Sequence, residues 1–472
     1  MIKFIFTYAG LLLLITSCAT TKDNLNKQIN APTTFLIDDN YISQNDAINN
    51  LERRVFIKDT LLNSMIDSVL KNNHNILFAI KTIEKHEELL KQSNANNIPE
   101  INLQLNAKRN YFSENSLNGK NGFDLKNALG KNYVDDYIAG INLNWEPDIW
   151  LKNKNKKKVA IAMWLKENEI LKKIKFELIE STASSYYDLV AIKQKLEIAT
   201  KNLQLSNDFL KNVKLKKKYG VGNELDVQQS EIQLIEVKNL IVTLENQLRI
   251  KKNAIKVLLN DIKWDIEITS NIEDFIFDER ININSPNQLL ANNPDIKSDV
   301  YEFDKKVLLS KIAYSEQYPS LNFNLNAGLN SFNNTNWLAL PTSLFASTMV
   351  SLTQPIWNKR KLKTDYNISK IELDQAVINI NQKLLKSTLE VSNDYNSFFD
   401  IKNKIKNLDA QIDILDVAIK NAEILYNEGE TDYLQVVLIQ QKQLAVKLDK
   451  LNIQKDLIDT YLNIFKLIGY KI

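Results

Sequence analysis

Few side chains in this sequence are equipped for covalent or acid–base chemistry. Cys18 is the only thiol, and His74 and His86 are the only imidazoles. One cysteine cannot form a disulfide within the chain. His86-Glu87-Glu88 lies in a charged helical stretch and reads as a solvated face, not a metal site. Asp59 and Asp67 read the same way, as charge on a helix surface. No G-x-x-x-x-G-K-[ST], G-x-S-x-G or H-E-x-x-H pattern occurs. Glycine, needed wherever backbone closely approaches a nucleotide, numbers only ten in 472 residues. The sequence therefore gives no reason to expect an enzyme or a metal centre. A net charge of +3 is too small to argue for nucleic acid.

The chemistry that remains is at Cys18. Lys3 precedes a short apolar run, Leu11 to Ile15, too short to span a bilayer as a stable helix. The run ends Ile15-Thr16-Ser17-Cys18, which resembles the bacterial lipobox. That resemblance implies a signal peptide over residues 1–17, a diacylglycerol and an N-acyl chain on Cys18, and no other cofactor. Several acyl chains satisfy the two-signal requirement for stable anchoring. Ala19 follows, not the aspartate that often holds such lipoproteins at the inner membrane. Residues 18–57 are expected to form an N-terminal tether, since Thr20 to about Asn50 are polar and irregular.

The rest of the chain is written twice. Ile98-Pro99-Glu100-Ile101-Asn102-Leu103 echoes Tyr318-Pro319-Ser320-Leu321-Asn322-Phe323, and Trp145-Glu146-Pro147-Asp148-Ile149-Trp150 echoes Thr353-Gln354-Pro355-Ile356-Trp357. Tyr219-Gly220-Val221-Gly222 echoes Tyr426-Asn427-Glu428-Gly429. A first repeat over 58–260, a linker over 261–286 and a second repeat over 287–472 follow. Within each repeat a narrow seam of apolar residues alternates steps of four and three, the signature of a coiled coil. It runs Val237, Ile241, Leu244, Leu248, Lys251, Ile255, Leu258 and again Leu444, Leu448, Leu451, Lys455, Ile458, Leu462. Helical hairpins over 151–260 and 357–468 are expected, with first arms of some 65 residues, or roughly 100 Å. Glycine suits the positive φ of the turns at Tyr219–Gly222 and Tyr426–Gly429.

Ahead of each hairpin stand two segments of period two, about 99–112 and 136–147, then 319–332 and 345–355. Ile101, Leu103 and Leu105 alternate with Asn102, Gln104 and Asn106, so one face is apolar and the other neutral amide, suited to a wet lumen. Tyr111, Tyr137, Trp145, Phe332, Trp337 and Trp357 stand near segment ends, as in the aromatic girdles of membrane barrels. Four strands cannot close a barrel, and an open edge in lipid costs several kcal/mol per unpaired group. Copies must therefore combine.

Together these features resemble the TolC-like outer-membrane efflux proteins, in their lipoprotein branch. The resemblance runs from about Phe56 to Gly469. It is carried most specifically by Tyr426-Asn427-Glu428-Gly429-Glu430-Thr431-Asp432-Tyr433-Leu434-Gln435, by Asn293-Pro294-Asp295, and by Leu352-Thr353-Gln354-Pro355-Ile356-Trp357. It implies a membrane protein mixing long helices with a β-barrel. Three copies would complete a twelve-stranded barrel in the outer membrane, extended by a periplasmic α-barrel. The implied role is the passive conduit of a tripartite efflux system, carrying small toxic molecules delivered by a periplasmic adaptor (membrane fusion protein) and an inner-membrane pump of resistance-nodulation-division type. Protein secretion and metal efflux use the same architecture. Tyr219, Gly222, Tyr426 and Gly429 would lie at the adaptor-docking tips. With Gly222 as the motif glycine, the first tip is two residues shorter than the family pattern. Acidic residues that often ring the aperture are replaced by Gln435 and Leu438, leaving Asp226 or Asp432 as substitutes. A structural coiled-coil lipoprotein would explain Cys18 and the seams but not the paired alternating segments.

Overall fold

The computed structural model describes residues 29, 32–38, 57, 59–113, 115, 133–265, 268–277 and 286–469. Cys18, most of the expected tether and most of the loop between the first two strands lie outside the described residues. The order is α1 (Thr60–Asn72), α2 (His74–Ala95), β1 (Glu100–Tyr111), β2 (Tyr133–Trp145), α3 (Lys152–Lys218), α4 (Glu224–Leu259), a 3-10 turn (Ile272–Asp274), α5 (Asn287–Asn292), α6 (Pro294–Ser315), β3 (Ser320–Ser331), β4 (Leu344–Thr353), α7 (Lys361–Glu428) and α8 (Tyr433–Ile468).

The four strands form one antiparallel sheet in the order β1-β2-β3-β4. Ile101 pairs with Leu143, Leu143 with Leu325, and Leu325 with Thr348, so one pleat face is largely apolar. Ile101, Leu103, Leu105, Val350 and Leu352 are exposed there. On the other face the Asn142 amide donates to Asn326. Gly140 and Gly328 are register partners at the centre of the sheet. A Cβ on Gly328 would stand 2.2 Å from the Ala139 carbonyl oxygen, so this close approach requires glycine. Strands β2 and β4 stop at Trp145 and Thr353, two residues short of the expected ends at 147 and 355. Pro147 and Pro355 explain this, since proline lacks a ladder donor and constrains the residue before it. At its other end β2 begins at Tyr133, three residues earlier than expected, because pairing continues to Tyr111–Tyr133.

Helices α3 and α7 hold 67 and 68 residues, each close to 100 Å long. Helix α7 starts at Lys361, not at the expected 357, because Lys359 and Arg360 sit at φ 54° and 67° and break the helical path. The seam expected on α4 and α8 is buried or half-buried throughout, from Val237 to Leu258 and from Leu444 to Leu462. Its lysines meet at one place. Lys251 on α4 and Lys455 on α8 lie 2.6 and 3.0 Å from the two oxygens of Asp188 on α3.

The main core gathers around Tyr186, Tyr187, Phe275, Phe398, Tyr461 and Phe465. The linker contributes to it, burying Ile268, Ile272 and Phe275. Asp59 is not a surface charge. Its carboxylate caps α1 by accepting from Leu62 N at 3.0 Å and accepts from the Tyr186 and Ser270 hydroxyls, both at 2.8 Å. Asp67 is exposed, as expected. His86 corrects the expectation of a solvated face: it is 7 % exposed, turned onto α3, with Nε2 3.9 Å from Glu167. Described residues of the tether also pack. Leu36 N donates to Ser392 Oγ, and Leu36 O accepts from Asn396 on the same helix, α7.

Duplication extends to helix ends. Asn73 caps α2 through Asn75 N and donates its amide to Leu258 O at 2.9 Å. Asn293 caps α6 through Asp295 N and donates to Leu467 O at 2.9 Å. Each asparagine thus fastens the start of a short helix to the end of the hairpin that returns beside it.

Candidate functional site: hairpin tips and duct wall

Both hairpins turn at the end farthest from the sheet, and all four expected tip residues lie in or beside those turns. Their roles differ from the expected equivalence. Gly220 and Gly429 have φ +76° and +81°, the left-handed position that closes a helix. Gly222 does not; a Cβ there would come within 3.1 Å of Lys217 N, so its role is close packing. Helix α4 starts at Glu224 and α8 at Tyr433, each four residues past its left-handed glycine. The first tip is therefore not shortened: the motif glycine is Gly220. The register shift also moves the tyrosines. Tyr219 is 76 % exposed while Tyr426 is 8 % exposed, so they are not counterparts in space.

The two tips are stapled to each other. Val213 on α3 and Val227 on α4 pack with Ala422, Tyr426, Tyr433, Val436 and Val437. Phe209 lies 5.6 Å from Tyr433 and 6.1 Å from Tyr426 between ring centroids. Lys216 crosses from the first hairpin to the second: Nζ donates to Tyr426 O at 2.9 Å and sits 3.8 Å from the centre of that ring. Burial lowers the Lys216 pKa despite Asp226 nearby. Burial, with help from Asp226, pushes the Tyr426 hydroxyl up to about 12. Below the tip, Gln441 donates to Gln233 at 2.6 Å and Glu236 at 3.2 Å.

Among the expected aperture residues, Asp226 lies half-buried in the first turn of α4, where Asn223 caps its backbone N–H at 2.8 Å. Asp432, Gln435 and Leu438 are exposed on α8 and its cap. No group of three or more metal-ligating side chains occurs among the described residues.

At the opposite end the sheet joins the helices through aromatics. Trp150 stacks on Tyr318 at 4.7 Å and donates to Pro319 O at 2.7 Å, and Trp145 donates to Asn97 O at 3.0 Å. The Asp148 carboxylate caps α3 by accepting from Asn153 N and Lys154 N at 2.8 and 2.7 Å.

A sheet with an apolar face and an amide face, set on helical hairpins whose first arms are about 100 Å long, is a wall segment of a membrane channel. The sequence matches the family described as "Outer membrane efflux protein" over residues 65–261 and 285–470, and the chain belongs to that family. It is 22% identical over 421 residues to a probable outer membrane lipoprotein SilC of Salmonella typhimurium, covering 88% of this chain and 87% of that one. It is 20% identical over 437 residues to the cation efflux system protein CusC of Escherichia coli O6:H1, covering 92% of each. The crystal structure of the Campylobacter jejuni CmeC outer membrane channel superposes with TM-score 0.82 at 18% identity, covering 94% of each chain. The protein is thus an outer-membrane efflux channel with a TolC-like fold, in a family of channels and not of enzymes.

Proposed function

We propose that three copies close into one barrel and one helical duct, and that the duct passively conducts small toxic solutes delivered by an inner-membrane pump and a periplasmic adaptor. One observation carries this reading: the outer edges of β1 and β4 have no strand partner among the described residues. Their strands, of 12 and 10 residues, are long enough to cross a bilayer when tilted. Unpaired amides in hydrocarbon cost several kcal/mol each, so β1 of one copy must pair with β4 of the next. The number three rests on the family likeness.

The tips serve as the adaptor contact and the aperture, with Tyr219, exposed on the first turn, as the first residue an adaptor meets. A pump of the resistance-nodulation-division type is the inner-membrane partner we favour. Cys18 carries the acyl chains, a reading supported by the lipobox and by the lipoprotein name of the SilC relative. Cargo is set by the pump and adaptor, because the amide face is mostly neutral amide, and its charges Glu100, Lys108 and Asp136 are of mixed sign. Metal ions are the alternative cargo, supported by the name of the CusC relative.

Mass measurement of the full chain in mild detergent tests closure: a trimer is expected, and a stable monomer overturns the reading. Deleting the gene should sensitise cells to several unrelated toxic compounds. Sensitivity confined to metal ions would move the cargo to the alternative.

A further inference from the structure

Where each membrane strand pair gives way to a long helix, the chain carries an apolar knuckle followed by unpaired cations. In the second repeat Ile356 and Trp357 are 97 % and 86 % exposed, more than almost any other large apolar residue. They are followed by Lys359, Arg360, Lys361 and Lys363, all exposed. In the first repeat Ile149 and Leu151 are about half exposed, followed by exposed Lys154, Lys157 and Lys158. None of these cations has an acidic partner among the described residues. Lys152 is excluded because it already lies 3.6 and 3.8 Å from Glu146 and Glu316. Of the nearby carboxylates, Asp148 is taken by backbone N–H groups, and Asp365 makes no ion pair with these cations.

Two further features say the charges are not incidental. Lys359 and Arg360 hold positive φ consecutively, a conformation that glycine adopts freely and that strains residues with a Cβ. Basic side chains are kept where the backbone alone would be better served by glycine. The same cations stand at the start of α7 and α3, where the helix dipole disfavours positive charge. An outside anion would offset both costs.

We infer that this collar binds the anionic phospholipid headgroups of the periplasm-facing leaflet. The apolar knuckle sits at the hydrocarbon boundary, as interfacial aromatics do. The rise from Lys154 to Lys158 is about 6 Å, comparable to the thickness of one headgroup layer. Basic residues at such a surface each contribute appreciable attraction to anionic lipid. The inference rests on the strands lying in the outer membrane.

The test is native mass spectrometry of the full-length protein, extracted in mild detergent and exposed to phosphatidylglycerol or phosphatidylethanolamine. Wild type should retain phosphatidylglycerol preferentially. Lys359→Gly with Arg360→Gly should unfold later than wild type, because strain is relieved, yet lose phosphatidylglycerol retention by about tenfold. The triple change Lys154→Gln, Lys157→Gln and Lys158→Gln should lose it too. Neutralising Lys404, Lys406 and Lys420, exposed partway along α7, should change nothing. Undiminished phosphatidylglycerol retention in the collar variants overturns the inference. So does equal loss of both lipids, which would show a phosphate contact common to both and no selection of anionic headgroups. Dissociation of the assembly regardless of lipid would make the collar a subunit contact instead. Wild type that retains neither lipid would refute the membrane placement itself.

Discussion

Replacing Asp188 with alanine removes the shared acceptor of the two seam lysines, and its cost can be worked from their surroundings. Lys251 is 44 % exposed as a side chain, so its half of the node is a surface pair contributing up to about 1 kcal/mol. Lys455 is 13 % exposed, close to the buried limit where losing a partner costs about 3–5 kcal/mol. It keeps Asp459 and the Ser184 hydroxyl, however, which lowers the loss. We expect Asp188→Ala to destabilise by about 2 kcal/mol, roughly 30-fold in the unfolding equilibrium. Urea unfolding of the detergent-solubilised protein, followed by helical circular dichroism, reads this directly. Asp188→Leu combined with Lys455→Met should recover part of it, since no half-buried lysine is left without a partner, while Asp459 and the more exposed Lys251 each lose one contact to water. Burial by itself would lower the Lys455 pKa, but Asp459 and Asp188 outweigh it and hold the pKa above the ordinary 10.5. The contribution is therefore full below pH 10.5 and fades as pH rises through the folded value, so the gap between wild type and Asp188→Ala should narrow in strong alkali. A single variant within 0.5 kcal/mol of wild type, or a double variant worse than the single, would refute the reasoning.

Gly220→Ala and Gly429→Ala should each destabilise their turn by about 1–2 kcal/mol through the positive φ, seen as faster amide exchange at the tips. Lys216→Met should free the first tip from Tyr426 and raise single-channel conductance in planar bilayers; unchanged conductance would remove that contact from any role in gating. Gly328→Val should abolish assembly, because its Cβ collides with the backbone of Ala139, and recovery of intact trimer would contradict the register. Asp295 is held below its ordinary value of 3.8: burial raises it, but Lys173 and Lys383 lower it further. Its contribution is present above pH 3.8 and lost as pH falls through the folded value, so Asp295→Asn should flatten the acid limb of a stability profile.

The seams, strands and duplication were legible because each is a periodic pattern over many residues, and period survives without knowledge of the partner. Single polar residues were not. Asp59, His86 and Asn73 sit in ordinary charged or amide-rich stretches, and their partners Tyr186, Glu167 and Leu258 stand far along the chain. Asn293-Pro294-Asp295 stood out in the sequence only through the family likeness, and Asn73 before His74, which carries the same cap with no proline after it, did not stand out at all. At the first tip, two glycines one residue apart made the sequence ambiguous, and only backbone geometry separates Gly220 from Gly222. Cys18 lies outside the described residues, so its acylation rests on the lipobox and on the SilC relative.

The unlike turns of the two hairpins set the symmetry of any rim they build. Six loops around a mouth would alternate between a projecting phenol at Tyr219 and a tucked-in one at Tyr426, and between a carboxylate at Asp226 and an amide at Gln435. A docking protein arriving as six equal arms would meet two kinds of seat, and either kind could drift in sequence while the other kept its grip.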